Sequence, residues 1–189
     1  DKSGLVPFAQ ALTEMGVALV STSGTLQTLR DAGIAAQSLA DFTGMPEMLE
    51  GRVKSLHPNV HAGLLGVRDN KLHSEQLQAH GMQWIDLAVV NLQPLDEYFE
   101  RDDLQVDEAM ELVDIGGAAM LRSAAKNFRF VTPVPQPAHY TQILHALRAH
   151  DGVVPYAMRY RLAVEAFERL VAYDTALAAF LLRREGPAQ

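Results

Sequence analysis

Short apolar runs, each ending in a polar loop, alternate with helix-patterned stretches along most of this chain. That alternation restricts the fold more than any other feature. The runs at 17–20, 34–38, 85–90 and 130–134 have the length of buried strands. Between them apolar residues recur three and four apart, as in Leu5, Phe8, Ala9, Leu12 and Met15. Gly16 and Gly33 close the first two helices, and Thr25 is expected to cap the second, which runs to Asp31. Further helices are expected over 71–80, 106–112, 117–127, 137–150 and 155–184, the last with a proline near its first turn. Gly44, Pro46, Gly51 and Pro58 make 43–58 a loop, and 61–67 reads as a strand returning to the sheet. The pattern predicts an α/β fold, a mostly parallel sheet flanked by helices. Ligands bind such sheets at the carboxyl ends of the strands, where the loops after Val20 and Val90 lie.

The 189 residues are expected to form a single domain, with an α/β core over 1–150 and a C-terminal helical segment over 151–185. Residues 186–189 are expected to fray. A domain of this kind usually leads with a strand, whereas this chain opens at a helix cap, so a first strand is expected outside it. The opening residues read as amphipathic sequence, and no leader is expected from them. Cysteine is absent, which excludes disulfides and thiolate metal sites and fits a reducing cytoplasm. No apolar run approaches the ~18–20 residues that span a bilayer, so no membrane partner is expected. A net charge of −7 without a basic stripe argues against general nucleic-acid binding. The only lysines are Lys2, Lys54, Lys71 and Lys126; arginine is the routine surface cation, and three of the four lysines fall in the segments below.

Three loops and one strand end carry chemistry. In Ser21-Thr22-Ser23-Gly24-Thr25, Gly24 lets a ligand approach the backbone, and hydroxyls at a helix start supply neutral donors for phosphate. A helix cap with turn residues accounts for the loop equally well. Arg52-Val53-Lys54-Ser55 places two cations two apart, facing one side if extended, which suits an anion or a lysine proton donor; a solvated charge pair is the plainer account. His57 and His61 have a zinc-compatible spacing, but Pro58 and Gly63 argue against one helix and no third ligand is evident, so no metal is expected. In Asp114-Ile115-Gly116-Gly117, the glycines expose N–H groups and Asp114 stands where a cap belongs. Arg122 and Lys126 follow on one helical face, an unfavourable pairing unless an anion lies between them. Asn91-Leu92-Gln93-Pro94 puts polar amides after the most apolar strand.

Taken in order, DKSGLVPFA, LVSTSGT, LRDAGI, FTGMPEMLEGRVKSLHPNVHAGLL, IDLAVVNLQP, VDIGG, MLRSAAKN and AYDTALAAFL resemble the N-terminal IMP cyclohydrolase domain of the bifunctional purine-biosynthesis enzyme. The resemblance covers essentially the whole chain, without the second, transformylase domain. It implies a methylglyoxal-synthase-like α/β fold, a cytoplasmic location and no cofactor. The implied activity is closure of formylaminoimidazole-carboxamide ribonucleotide to inosine monophosphate with loss of water. The implied partner is a purine-type ribonucleotide, and a homodimer is left open. By this resemblance Lys2 and Ser21, Thr22, Ser23, Gly24 and Thr25 hold the 5′-phosphate. Arg52, Lys54 and Ser55 line the site, Asn91 sits beside the base, and Asp114, Ile115, Gly116 and Gly117 meet the reacting end. Lys54, Asp114, Lys126 and the residue at Gln93 are the expected catalytic positions.

Three positions depart from the family pattern. Gln93 replaces a tyrosine and cannot exchange a proton near neutral pH. Ser23 replaces the first of two glycines in the phosphate loop, and Phe128 replaces a histidine after Lys126-Asn127. These departures admit a relative acting on another ribonucleotide, or a non-catalytic purine-nucleotide-binding module. A methylglyoxal-synthase-type lyase fits the extent of the purine-type segments less well.

Overall fold

The computed structural model describes residues 2–93, 95–101 and 103–184. The expectations placed on Pro94 and on 186–189 lie outside the described residues. Helix α1 (Leu5–Glu14) starts at Gly4, whose φ of 67° suits a residue without a side chain, and buries Phe8, Ala9, Ala11 and Leu12 along one face. Strand β1 (Val20–Ser21) leads into α2 (Ser23–Asp31), and β2 (Gln37–Ser38) into α3 (Leu39–Thr43). After a single 3-10 turn at Leu49–Gly51 come α4 (Pro58–Leu65), α5 (Lys71–Ala79) and β3 (Leu87–Val89). Helices α6 (Asp96–Phe99), α7 (Val106–Glu111) and α8 (Ile115–Lys126) precede β4 (Thr132–Val134). A second 3-10 turn at Pro137–His139 opens α9 (Tyr140–Ala149), and α10 (Tyr156–Arg183) is the longest helix.

All strand pairing is parallel. Val20 faces Gln37 and Ser21 faces Ser38; Leu87, Ala88 and Val89 face Thr132, Pro133 and Val134. Among the described residues the sheet is two two-stranded pairs. The expected α/β class is present, in strands shorter than the apolar runs. Thr132 and Val134 bond to the β3 side, and the alternating Pro133 and Pro135 have no N–H to offer a strand on the other edge of β4.

Helix α8 lies at the centre. Its Leu121 and Ala125 meet Ala166, Leu170, Tyr173 and Phe180 of α10 together with Leu92, Leu95 and Phe99. Its Ala124 meets Val60 and Leu64 of α4 and Ala88 of β3. Each fully buried leucine of this kind contributes about 1.5–3 kcal/mol. On the other side, Phe8 of α1 stacks on Tyr140 of α9 with centroids 4.1 Å apart. No helix of the described residues is long and apolar enough to cross a membrane.

Four expectations need correcting. Residues 61–67 are not a strand. Pro58 opens α4 at its first turn, and His57 caps it by accepting the Asn59 N–H on Nδ1. Gly63 belongs inside that helix because Gln83 O and Ile85 crowd the place of a Cβ. Helix α2 starts at Ser23 with Thr22 as its cap residue, so Thr25 lies within the first turn. Helix α8 starts at Ile115, two residues earlier than expected. Arg122 needs no anion shared with Lys126, because Asp174 of α10 pairs with it at 2.6 Å.

Candidate functional site

Strands β1 and β2 run side by side, and a cavity of about 210 Å³ opens at their carboxyl ends. Ser21, Thr22 and Ser23 form one wall, and Ser38, Leu39 and Ala40 another. The segment from Met45 to Met48, with Val53, Lys54 and His57, covers it. Among the described residues no side chain caps the first turn of α2, which leaves the N–H groups of Ser23, Gly24 and Thr25 without helical partners, and Ser23 itself lines this space. Lys2 stands over the same turn, bonded to Gly24 O at 2.9 Å and Thr28 Oγ1 at 3.0 Å. A positive charge and a helix N-terminus thus meet at one edge.

The segment that carries Lys54 is tightly folded. Gly51 has a φ of 82°, and a Cβ there would lie 2.5 Å from Glu47 Oε1 and 3.3 Å from Lys54 Nζ. The Glu47 carboxylate accepts the Ser23 hydroxyl at 2.8 Å. Arg52 turns outward to Glu111, with Nη2 2.5 and 2.6 Å from the two carboxylate oxygens. That hydrogen bond, then the Glu111 charge, raises the guanidinium pKa further. Ser55 is 4% exposed and sits so close to Gly116 that a Cβ there would overlap Ser55 Oγ. This contact joins the Lys54 segment to the start of α8.

At that start Asp114 caps the helix, Oδ1 accepting the Gly117 N–H at 2.7 Å. The Asp114 N–H itself donates to Tyr173 Oη at 2.7 Å. Tyr173 is 6% exposed, and its burial pushes the phenol pKa up, so it stays a neutral partner for that N–H. Ile115 is exposed. Asn91 follows β3 directly, and Gln93 Nε2 donates to Tyr98 Oη at 2.7 Å.

Of the sequence candidates, Ser21, Thr22, Ser23 and Lys54 line the cavity. Lys2, Gly24 and Thr25 flank it, and Ser55 links it to Gly116 and Asp114. Lys126 is not brought to this cluster within one chain. It is exposed in the last turn of α8, a rise of about 18 Å from Asp114. Phe128 packs with Tyr156 and Tyr160, ring centroids 5.5 Å away in each case, and so belongs to the α10 side. His57 and His61 do not form a metal pair: His57 caps α4, and His61 Nδ1 lies 2.9 Å from Ser123 Oγ. No group of three metal-ligating side chains occurs among the described residues.

Sequence reasoning missed Glu47, Tyr98 and Tyr173. Glu47 and Tyr173 fall within the quoted motifs, but their partners are 24 and 59 residues distant, beyond any local pattern. Tyr98 had a weak signal: a second proton-bearing side chain five residues after Gln93.

Comparison with known proteins gives the family. Residues 4–119 match the family model described as an MGS-like domain, and 124–189 match that of the AICARFT/IMPCHase bienzyme. The bifunctional purine biosynthesis protein PurH of Magnetococcus marinus is 50% identical over 181 residues, covering 96% of this chain and 34% of that protein. PurH of Cereibacter sphaeroides is 49% identical over 190 residues, covering 99% of this chain and 36% of that protein. The chain therefore spans about a third of the length of these relatives. The crystal structure of ForH superposes with a TM-score of 0.83 at 37% identity, covering 96% of this chain and 94% of that one. The chain belongs to the MGS-like family and corresponds to the IMP cyclohydrolase part of the AICARFT/IMPCHase bienzyme.

Proposed function

We propose that this chain closes formylaminoimidazole-carboxamide ribonucleotide to inosine monophosphate with loss of water. The observation that carries the reading is the cavity at the ends of β1 and β2. It joins hydroxyls and free helix N–H groups on one wall to Lys54 on another, and Ser55 ties it to Asp114. The 5′-phosphate is assigned to Lys2 and the first turn of α2, and Asn91, Ile115, Gly116 and Gly117 to the rest of the ribonucleotide; Arg52, expected to line the site, is instead turned away to Glu111.

The reaction needs positioning more than reagents. The carboxamide nitrogen is a poor nucleophile, and holding it against the formyl carbon of the same molecule supplies much of the acceleration. Attack forms the C–N bond and places charge on the formyl oxygen. The Lys54 ammonium and N–H groups at the start of α8 are assigned to stabilise it. Asp114 takes a proton from the attacking nitrogen and Lys54 gives one to the formyl oxygen, making a hydroxyl. The C–O bond then breaks as Asp114 returns its proton to that hydroxyl and the formamide nitrogen gives its own to Lys54, leaving a C=N bond and water. No electron is transferred, so the step calls for no redox cofactor; a cytoplasmic enzyme without cofactor is part of the proposal. Lys126 is retained in this proposal only if a second copy brings it to the site.

A second reading keeps the site and changes the ligand. Gln93, bonded to Tyr98, and Ser23, bonded to Glu47, are both departures with defined partners. They fit a relative acting on another ribonucleotide, or a binding module. Mixing the chain with the formylated ribonucleotide and detecting inosine monophosphate separates the readings. Tight product binding without conversion favours the second.

A homodimer is part of the proposal, with the outer face of α10 as its surface. Tyr160, Val164, Phe167 and Val171 are 42–65% exposed there. They are followed by the small Ala172, Thr175, Ala176 and Ala179, which share a groove with Val164, Phe167 and Val171. An antiparallel second copy sets each bulky half against a small half.

A further inference from the structure

The Glu47 carboxylate occupies a place that suits an anion. Its Oε2 accepts the hydroxyl of Ser23, and both residues line the cavity beside the uncapped first turn of α2. A phosphate arriving at those donors meets a carboxylate that already holds one of them. The surrounding geometry also shows where the carboxylate can go. Its other oxygen and Lys54 Nζ approach the same face of Gly51, at 2.5 and 3.3 Å from the place of a Cβ, so a short swing carries Glu47 from Ser23 to the ammonium.

The segment bearing Glu47 is suited to such a movement. Leu49, Glu50 and Gly51 have successive φ values of 50°, 54° and 82°, and the first two are side chains that rarely adopt this region. Met45, Met48 and Leu49 are 43, 41 and 66% exposed at the same rim, leaving apolar surface to be covered. Ser23 matters equally, since a glycine there has no hydroxyl to offer.

We propose that Glu47 determines specificity at the phosphate end of the site: it competes with the ligand's phosphate for Ser23, and when displaced it pairs with Lys54. The proposal rests on the phosphate-site reading above. A simple anion displaces the carboxylate with difficulty and binds weakly, whereas a ribonucleotide with contacts elsewhere in the site displaces it readily.

The test is calorimetric titration of the full chain and its Glu47→Gln variant with inorganic phosphate, inosine monophosphate and inosine. Removing the charge while keeping the shape is expected to tighten phosphate and the monophosphate roughly tenfold, the difference between a charged and a neutral hydrogen-bond acceptor. Inosine, which has no phosphate, is expected to be unaffected. In a Ser23→Ala background the same change at Glu47 is expected to bring little gain, because no hydroxyl is left to compete for. Unchanged or weaker phosphate binding by Glu47→Gln, an equal gain for inosine, or a full gain without the Ser23 hydroxyl would each overturn the proposal. If neither phosphate ligand binds the unaltered chain or the variant, the phosphate-site reading itself fails.

Discussion

At the scale of single residues, the site turns on groups whose partners are far away in sequence. Gln93 is the sharpest case. Its amide donates to Tyr98 Oη, which leaves the phenol hydrogen free to donate onward. If the site needs a phenol at this corner, Gln93→Tyr supplies one directly, and turnover on the formylated ribonucleotide is expected to rise several-fold without tighter binding. A variant that binds the substrate well and gains nothing contradicts the assignment of this position. The residue scale was also the least legible from sequence. Asp114 was readable as a cap because capping is local, one side chain bonding an N–H three residues on. Glu47 and Tyr173 were not, because hydrogen bonds across 24 and 59 residues exist only after the chain has folded.

At the scale of elements, most of the pattern was legible where burial is one-sided. The apolar stripe of α1 announced itself through periodicity, and β3 and β4 lie within continuous apolar runs of strand length. Helix α4 did not. Its glycine and short apolar run imitate a strand, and only the contact of Gly63 with Gln83 and Ile85 explains the glycine inside a helix. The same close packing makes a prediction at the start of α8. A methyl group added by Gly116→Ala overlaps Ser55, so the variant should lose about 1–3 kcal/mol in denaturant unfolding, and Ser55→Gly should restore most of it. An undiminished stability would mean the two segments are not in contact. The tie between α8 and α10 makes another. Burial raises the Tyr173 pKa, so the folded chain holds a proton that the unfolded chain releases near pH ~10. Its contribution is complete below that pH and is lost as pH rises from there through the higher folded value. Tyr140, raised by burial too, adds to the same slope. Tyr173→Phe should therefore cost about 1 kcal/mol at neutral pH. It should also show a shallower loss of stability in alkali; an unchanged alkaline slope would contradict this account.

At the scale of the whole molecule, α10 is apolar on two sides. Leu162, Ala166, Leu170 and Phe180 face the core, while Val164, Phe167 and Val171 face outward. A helix apolar all round is normally covered on both sides. If a second copy covers it, light scattering should give a dimer mass for the unaltered chain and a monomer mass for Val171→Glu. A monomer in both cases rules that surface out as a dimer contact. Ring closure by this chain is tested most directly by ultraviolet absorbance. The chain is incubated with formylaminoimidazole-carboxamide ribonucleotide, alone and as the Asp114→Asn variant, which keeps a capping side chain but loses the base. The account predicts the spectrum of inosine monophosphate appearing with catalytic turnover, at a rate about 10²-fold or more lower in the variant. No conversion by the unaltered chain, or equal rates for the two, would contradict it.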